Sequence, residues 1–364
     1  MSTQHKLDEE QGSPRLINYI DALREAFHQE MQRDEKVFLF GLDVDDHKSI
    51  LGSTEGLLEK FGSERIFSTP LSEDAMTGIA IGAAMAGYRP IHVHIRMDFL
   101  LLCMNQLINI AAKAHYMYEG QVKCPLVVRT TIGRSWGQGA QHSQSLHSLF
   151  MHIPGMKVVA PSNAHDAKGI MIASIRDNNP VVFMEHRMLC GTQSNVPEEI
   201  YEVEIGKGKI VQEGEDITVV AISHMVLESI RASKYLQEAG INPEIIDPIS
   251  LRPLDIDIIA KSVAKTGKLL VVDCGWLMCG AASEIITQII EHFPDGINGK
   301  PIKIQRMGFS ESACPTTRPL EDLFYPNGRT IASKIYDMVD GGSNYDWLPA
   351  NSEKTEIDNF KGPF

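Results

Sequence analysis

Hydrophobic and polar positions follow two alternating patterns over most of the chain. Short, mainly apolar runs, such as 37–43 and 180–186, are typical of strands buried on both faces of a sheet. Between them lie segments with helical spacing, such as 16–32, 72–87 and 163–176. This alternation predicts an α/β fold in which parallel strands are covered by helices on both sides.

The alternating elements fall into two sets. Residues 191–208 follow neither pattern and are predicted to be a linker, so we expect two three-layer αβα domains, at 14–200 and 201–340. Residues 1–13 are predicted to be a disordered leader, and residues 341–364 a tail that crosses a surface or docks on a partner.

The remaining predicted elements complete the two sheets and their covering helices. In helix 98–117 we expect Leu102, Met104, Leu107 and Ile108 to form the core stripe. The other predicted strands are 89–95, 125–131, 156–161, 216–223, 243–250, 268–274 and 301–308, and the other predicted helices are 225–239, 255–264, 280–293 and 329–339.

Composition narrows the functional class. A net charge of −13 with no offsetting basic stripe argues against a nucleic-acid binder. No apolar run reaches the roughly 18–20 residues of a membrane helix, and the polar, acidic N-terminus is not a signal peptide. The six cysteines form no C-x-x-C pair, so we expect reduced, buried thiols in a cytoplasmic protein.

The first candidate for chemistry is Glu73, in the segment TPLSEDAM at 69–76. A loop enters a predicted helix here, so Ser72 could cap the helix while Glu73 and Asp74 complement its dipole. A catalytic carboxylate is the alternative, because ligands of parallel sheets bind in the loops that follow the strands. The small residues that continue this helix predict close backbone packing beside it.

Two further candidates follow other predicted strands. The loop 132–145 is long, rich in hydrogen-bonding groups and contains His142, which could be catalytic or structural. Phe99 follows strand 89–95 and is either a core residue or a ring that packs against a planar ligand. His147, His152, His224 and Asp273 are expected to be structural.

Several motifs in one order resemble a known family across roughly residues 35–340. The run TPLSEDAMTGIAIGAAMAGYRPI is similar to the stretch that carries the cofactor glutamate in β subunits of pyruvate and branched-chain 2-oxoacid dehydrogenases. The similarity continues through NQLINIAAKAHYM, AQHSQSLHS, PGMKVVAPSNAHDAKGIMIASIRDNNPVV and ISLRPLDIDII. The resemblance implies the pyrimidine-binding and C-terminal domains of a transketolase-like fold.

The resemblance also implies a cofactor, thiamine diphosphate, and roles for individual residues. Glu73 matches the glutamate that hydrogen-bonds the pyrimidine nitrogen and thereby promotes proton removal from the thiazolium ring. Phe99 matches the aromatic residue that packs on the pyrimidine, and Leu71 and Ile95 fall at the same cofactor end. His142 matches an active-site histidine that handles protons or orients the acyl group.

Metal ions and partners are implied in the same way. Leu126, Ser174, Ile175, Asp177 and Asn179 correspond to a monovalent-cation site, expected to bind K⁺. The family's GDG…N motif for diphosphate and Mg²⁺ is missing from this sequence and belongs to the α subunit. We therefore expect an α₂β₂ assembly with shared sites, and a lipoyl acyltransferase as a further partner.

Some positions depart from the family pattern and leave the acceptor open. Residues 96–98 read Arg-Met-Asp, Asn105 replaces an Asp, and residues 134–136 read Arg-Ser-Trp. Arg96 and Arg134 could hold a carboxylate or phosphate, lie on the surface, or contact the α chain. The first hypothesis is that the enzyme decarboxylates a 2-oxo acid and transfers the acyl group to a lipoyl carrier. The alternatives are transketolase-like carboligation and a subunit that serves assembly only.

Overall fold

The computed structural model describes residues 15–349, except 47, 49, 135, 136 and 343. The predicted leader 1–13 and residues 350–364 of the predicted tail lie outside this part of the chain. None of the described helices is both long and apolar enough to cross a membrane.

Strands and helices alternate as the sequence predicts. The strands are β1 Leu16–Asn18, β2 Val37–Gly41, β3 Ile66–Ser68, β4 Arg89–His94, β5 Val127–Ile132, β6 Lys157–Val159, β7 Val181–His186, β8 Gln193–Asn195, β9 Lys209–Gln212, β10 Ile217–Ala221, β11 Pro243–Asp247, β12 Ser250–Arg252, β13 Lys268–Trp276 and β14 Lys303–Phe309. The α-helices are α1 Tyr19–Arg33, α2 Leu57–Phe61, α3 Glu73–Met85, α4 Ala112–Met117, α5 His147–Met151, α6 Ala164–Arg176, α7 His224–Leu236, α8 Ile256–Thr266, α9 Ala281–His292, α10 Arg318–Phe324 and α11 Gly328–Val339.

The strands form two main sheets. The first has the order β12-β6-β7-β5-β4-β2-β3 and is parallel except for β12, and the second has the order β14-β13-β10-β11-β9 and is parallel except for β9. β5 and β7 are buried along their whole length, and each begins with consecutive apolar residues. Their buried charged residues, Arg129 of β5 and Glu185 of β7, pair with each other. The predicted pair of α/β sheets is therefore present, with an antiparallel edge strand in each.

Strand β12 ties the two halves of the chain together. It comes from the second half, yet it pairs with β6 of the first sheet, with Ser250 opposite Val159. The predicted linker 191–208 is also not wholly irregular, because β8 within it pairs with β1 near the N-terminus. These short strands have too few residues for a hydrophobic period, so the pattern alone could not show them.

The predicted helix 98–117 is interrupted. Residues Met97–Cys103 form a 3₁₀-helix, Asn105–Ala111 a π-helix, and only α4 is regular. Each change of pitch rotates the buried face, so the predicted core stripe is partly wrong. Leu107 is buried as expected and Met104 and Ile108 are half-buried, but Leu102 is 58% exposed. The buried apolar residues are Leu100, Cys103, Leu107, Ala111, Ala112 and Ala114, with Met97 just before them.

Two smaller predictions also change. All six cysteines are free thiols as expected, but Cys279 is exposed and Cys190 is only partly buried. The described part of the tail docks on its own chain: the Trp347 ring packs on Tyr336 of α11, with ring centroids 5.1 Å apart. The tail up to residue 349 thus covers α11.

Candidate active site

The candidate site residues gather at one edge of the first sheet. Strands β4, β5 and β7 are neighbours and run parallel, so the segments that follow them emerge side by side. These segments carry Arg96 and Phe99 after β4, the loop from Gly133 after β5, and Arg187 after β7. The carboxyl edge of a parallel sheet is where such folds bind ligands.

Residues 96–98 hold the loop that carries His142. The Arg96 guanidinium donates from Nη1 to the carbonyl oxygens of Gly133, at 3.2 Å, and of His142. The carboxylate of Asp98 accepts a hydrogen bond from the backbone N–H of Gln144 at 3.1 Å. The three-residue departure from the family pattern therefore fixes both ends of this loop. Ser135 and Trp136, the other departure, lie outside the described residues.

Arg96 is not a surface residue, so that alternative is wrong. It is 2% exposed, and burial, together with the nearby charge of Arg187, lowers the pKa of Arg96 to about 9. The negative charge of Asp98 acts in the opposite direction and raises the pKa of Arg96. Burial in turn raises the pKa of the Asp98 carboxyl. The guanidinium is thus held in a low-dielectric position where hydrogen bonds to carbonyls are strong.

Phe99 and His142 meet at this edge. Their rings make an edge-to-face contact with centroids 5.4 Å apart and planes at 76°. Both side chains are half-buried, so each keeps an accessible face. These two residues lie 43 positions apart in the sequence (142 minus 99). The contacts of Arg96 and Asp98 with the loop bring them together.

Glu73 is the first residue of α3, beside this segment. Ser72 makes no side-chain capping hydrogen bond, so the expectation that Ser72 caps the helix is wrong. One turn further along the helix, the Thr77 hydroxyl lies 3.3 Å from Nε2 of His94 at the end of β4. Within residues 15–349, gaps aside, the Glu73 carboxylate has no hydrogen bond or ion pair. It is half-buried.

Glu73 and the Phe99 segment are close enough to interact electrostatically. Burial raises the pKa of the Cys103 thiol to about 11, and the carboxylates of Asp74 and Glu73 add to that effect. Ile95, which joins β4 to Arg96, is half-buried, while Leu71 is 77% exposed. Of the predicted cofactor residues, Glu73, Ile95 and Phe99 are therefore half-buried, while Leu71 faces outward.

The second half of the chain closes the other side of the site. Arg134 lies 3.3 Å from Glu321 of α10, also pairs with Asp322, and sits over the Tyr325 ring. It is therefore neither a surface residue nor an unpaired cation. His186, at the end of β7, stacks on His224 of α7 with centroids 4.6 Å apart. Burial holds the pKa of His186 well below its ordinary value.

Comparisons with known proteins identify the family. Residues 15–193 match the family model described as transketolase, pyrimidine binding domain, and residues 206–331 match transketolase, C-terminal domain. The chain is 42% identical to the pyruvate dehydrogenase E1 component subunit beta of Rickettsia bellii over 319 residues, covering 88% of this chain and 97% of that protein. The chain belongs to this family of β subunits.

Other relatives support the same membership. The acetoin:2,6-dichlorophenolindophenol oxidoreductase subunit beta of Cupriavidus necator is 39% identical over 89% of this chain and 97% of its own length. A solved structure titled split gene transketolase, inactive beta4 tetramer has a TM-score of 0.72 at 21% identity, covering 89% of this chain and 98% of that one. That last likeness establishes the fold. The relatives favour the dehydrogenase interpretation over transketolase-like carboligation.

The residues expected to hold a cation lie together in this β-type chain. Ser174, Ile175, Asp177 and Asn179 follow one another at the end of α6, and Leu126 accepts a hydrogen bond from Val181 across the adjacent strand. The carbonyl oxygens of Ile175 and Asp177 each accept a hydrogen bond of 2.9 Å from Arg89. A carbonyl has two lone pairs, so one of them stays available on each.

Some residues at the site could not be chosen from the sequence. Arg187 is buried and influences Arg96, yet no motif marks it. Its position directly after β7 is the one signal that could have identified it. A cavity of about 660 Å³ lies elsewhere, between α5 and α9, and none of Glu73, Phe99 and His142 lines it. Cavity size alone would thus have pointed away from the gathered residues.

Proposed function

We propose that this β subunit works with an α partner to decarboxylate a 2-oxo acid with thiamine diphosphate and to pass the acyl group to a lipoyl carrier. The observation that carries the proposal is the Glu73 carboxylate, which has no partner among the described residues. It begins a helix, α3, that packs against the 3₁₀ segment of Phe99, and the Phe99 ring contacts His142. Thiamine diphosphate supplies a carbanion that attacks the 2-oxo carbon and an electron sink for the decarboxylation.

Glu73 and Phe99 fit the pyrimidine end of that cofactor. A carboxyl group without a protein partner can share a proton with a ring nitrogen, and the start of α3 fixes its position. The open face of Phe99 offers an apolar surface to a planar ring. Leu71 and Ile95 would complete the apolar walls, with Leu71 covered only when a second chain is present.

His142 is assigned the proton handling next to the reacting carbon. Its ring position is set by the Phe99 contact, and its backbone is set by Arg96, so little motion is needed to present a nitrogen to substrate. An imidazole ring has two nitrogens, one that can donate and one that can accept a hydrogen bond, which suits a group that must both release and accept a proton.

An exposed apolar surface beside Glu73 supports an α partner. Ile79 of α3 is 56% exposed, and the interrupted helix exposes further large apolar side chains at Leu101, Leu102, Ile110, Tyr116, Met117 and Tyr118. Monomeric proteins rarely leave so many clustered apolar groups uncovered. We call Ile79 and these six residues the apolar face. Because it adjoins Glu73, a chain that covers it would also shield the carboxylate from water.

The remaining cofactor and partner assignments rest on the same proposal. Without a GDG…N motif in this sequence, Mg²⁺ and the diphosphate are assigned to the α partner in an α₂β₂ assembly. K⁺ is assigned to the carbonyls at the end of α6, and a lipoyl acyltransferase is the acceptor of the acyl group. The complex is placed in the cytoplasm, consistent with six free thiols.

The decisive experiment uses the assembled αβ complex and the variant Glu73→Gln. We expect the variant to assemble and to bind thiamine diphosphate, but to lose at least about 100-fold in kcat for decarboxylation, because an amide cannot share the proton. Exposed Glu64→Gln, with the same chemical change, is the matched control. Unchanged activity of Glu73→Gln would leave only the assembling role for this chain.

A further inference from the structure

Two buried arginines lie at the ends of neighbouring strands beside His142. Arg96 follows β4 and Arg187 follows β7, with β5 between them. Each is 2% exposed, and their charges interact. A third strand end contributes the Gly133 carbonyl, which accepts from Arg96. Two buried guanidinium groups thus lie at the ligand-binding edge of the sheet, near enough for the charge of Arg187 to act on Arg96.

Two arginines near this position, Arg129 and Arg134, are matched by carboxylates. Arg129 makes a two-pronged contact with Glu185, at 3.0 Å from Nη2 to Oε1, and Arg134 pairs with α10. Arg96 differs: its Nη2 is buried and has no hydrogen-bond partner in the part of the chain that is described. Asp98, whose charge acts on Arg96, accepts from Gln144 through Oδ1, and its Oδ2 is also buried without a partner among the described residues, so the two side chains do not bond to each other. A buried guanidinium N–H without an acceptor costs free energy until an acceptor arrives.

The acceptor is better placed on a group that keeps its charge through the reaction. The carboxylate adjoining the 2-oxo carbon leaves as neutral CO₂, so a salt bridge to it would stabilise the ground state more than the transition state. Two cations would therefore slow the step if they held that group. They suit an anionic group elsewhere on the substrate, which is as charged after decarboxylation as before.

We propose that Arg96, with Arg187 beside it, holds a second anionic group, a carboxylate or a phosphate, on the 2-oxo acid substrate. This proposal rests on the proposed function for the substrate's identity, but the anion site itself consists of residues of this chain alone. Arg96 then has two roles, because Nη1 positions the His142 loop while Nη2 meets the ligand.

The anion site can be tested without the cofactor or the α partner. The full chain is melted in sodium phosphate and in sodium chloride of equal ionic strength. We expect phosphate to raise the Tm of the wild type and of the control variant Arg24→Met. In the wild type, Arg24 pairs with Asp21 and Glu55 rather than with groups of the proposed anion site. The rise should be lost in Arg96→Met and Arg187→Met. No rise in the wild type, or an equal rise in all four proteins, overturns the proposal.

The assembled complex then identifies the anion. We compare kcat/KM for 2-oxopentanoate, for 2-oxoglutarate and for the phosphonate analogue of 2-oxoglutarate, which share a backbone and differ at its far end. The wild type should prefer one of the two dianions about 10- to 100-fold, the equivalent of one charge-assisted hydrogen bond. Whichever dianion is preferred distinguishes a carboxylate from a phosphate ligand.

The variants separate this inference from the proposed function. Arg187→Met should bring the ratio of dianion to 2-oxopentanoate close to one, and Arg96→Met should do the same while also lowering kcat through the loop. A preference that persists in both variants, or a wild type that favours 2-oxopentanoate, contradicts the anion site. Phosphate binding without decarboxylation of any of the three substrates contradicts the proposed function instead.

Discussion

His147 Nε2 lies 3.0 Å from Oδ1 of Asp273, and this contact joins the two halves of the molecule below the His142 loop. His147 begins α5, directly after that loop, and Asp273 lies on β13 of the second sheet. Both are almost completely buried. Asp273 also accepts a hydrogen bond from the backbone N–H of Ala282 at 3.1 Å. Its carboxylate therefore connects β13 both to α5, which follows the His142 loop, and to α9.

Removing this carboxylate should be costly. Asp273→Ala leaves the His147 ring and the Ala282 N–H without an acceptor in the interior, and we expect a loss of about 2–4 kcal/mol in the free energy of unfolding. Urea denaturation measures it, with exposed Asp257→Ala on α8 as the control. In a double-mutant cycle with His147→Ala, losses that simply add would show that the two side chains do not interact.

The fold could be predicted largely because its strands are buried on both faces. β5 and β7 each begin with consecutive apolar residues, and short runs of this kind between helical segments are typical of the central strands of a parallel sheet. Strand β12 could not be predicted, because its three residues pair with a strand about 90 positions earlier and carry no period of their own. Interruptions within 98–117 were hidden for a related reason: a helical period does not distinguish α, 3₁₀ and π pitch over single turns.

The site was only partly visible from the sequence. Position after a strand was enough to select Phe99 and His142, and the structure places their rings in contact. What holds them could not be inferred, because Arg96 acts on carbonyl oxygens of a distant loop rather than through a spacing motif. The burial of Arg96 could not be predicted either, because arginine is usually exposed and is buried only where it has partners.

The apolar face should be required for assembly but not for folding. Leu102→Asp places a charge on a side chain that is 58% exposed, so the isolated chain should keep its Tm within about 2 °C. With the α partner, the same charge would be buried without a counterion, and assembly should weaken at least about 10-fold. Analytical ultracentrifugation measures the change. Ile200→Asp, on the exposed linker segment, is the control; equal assembly of both variants would place the interface elsewhere.

A monovalent cation at the end of α6 should stabilise the chain in a size-dependent way. Carbonyl oxygens at a helix C-terminus attract cations, and those of Ile175 and Asp177 each keep a lone pair beside Arg89. We expect a higher Tm in potassium chloride than in tetramethylammonium chloride of equal ionic strength. Identical melting curves would mean that the Arg89 guanidinium is the only cation these carbonyls need.

Asp247 provides a pH-dependent signature of the second sheet. This carboxyl is fully buried at the end of β11, and desolvation raises its pKa to about 7, although Ser162 and the N–H of Ile249 both donate to it. An unfolded aspartate titrates near pH 4 (roughly 3.9). Between these values the folded protein binds more protons than the unfolded chain, so the stability from this group is present below about pH 4 and is lost as pH rises toward 7.

Asp247→Asn should therefore change the shape of the stability profile. Because the amide does not titrate, the unfolding free energy of the variant minus that of the wild type should increase from pH 4 to 7, by up to about 1.4 kcal/mol per pH unit, and level off above 7. Urea denaturation at half-unit pH steps measures this difference, and exposed Asp257→Asn should run parallel to the wild type over the same window. A constant offset between Asp247→Asn and the wild type would mean that Asp247 is already ionised at pH 4 in the folded chain, and the hydrogen bonds from Ser162 and Ile249 would then outweigh its desolvation.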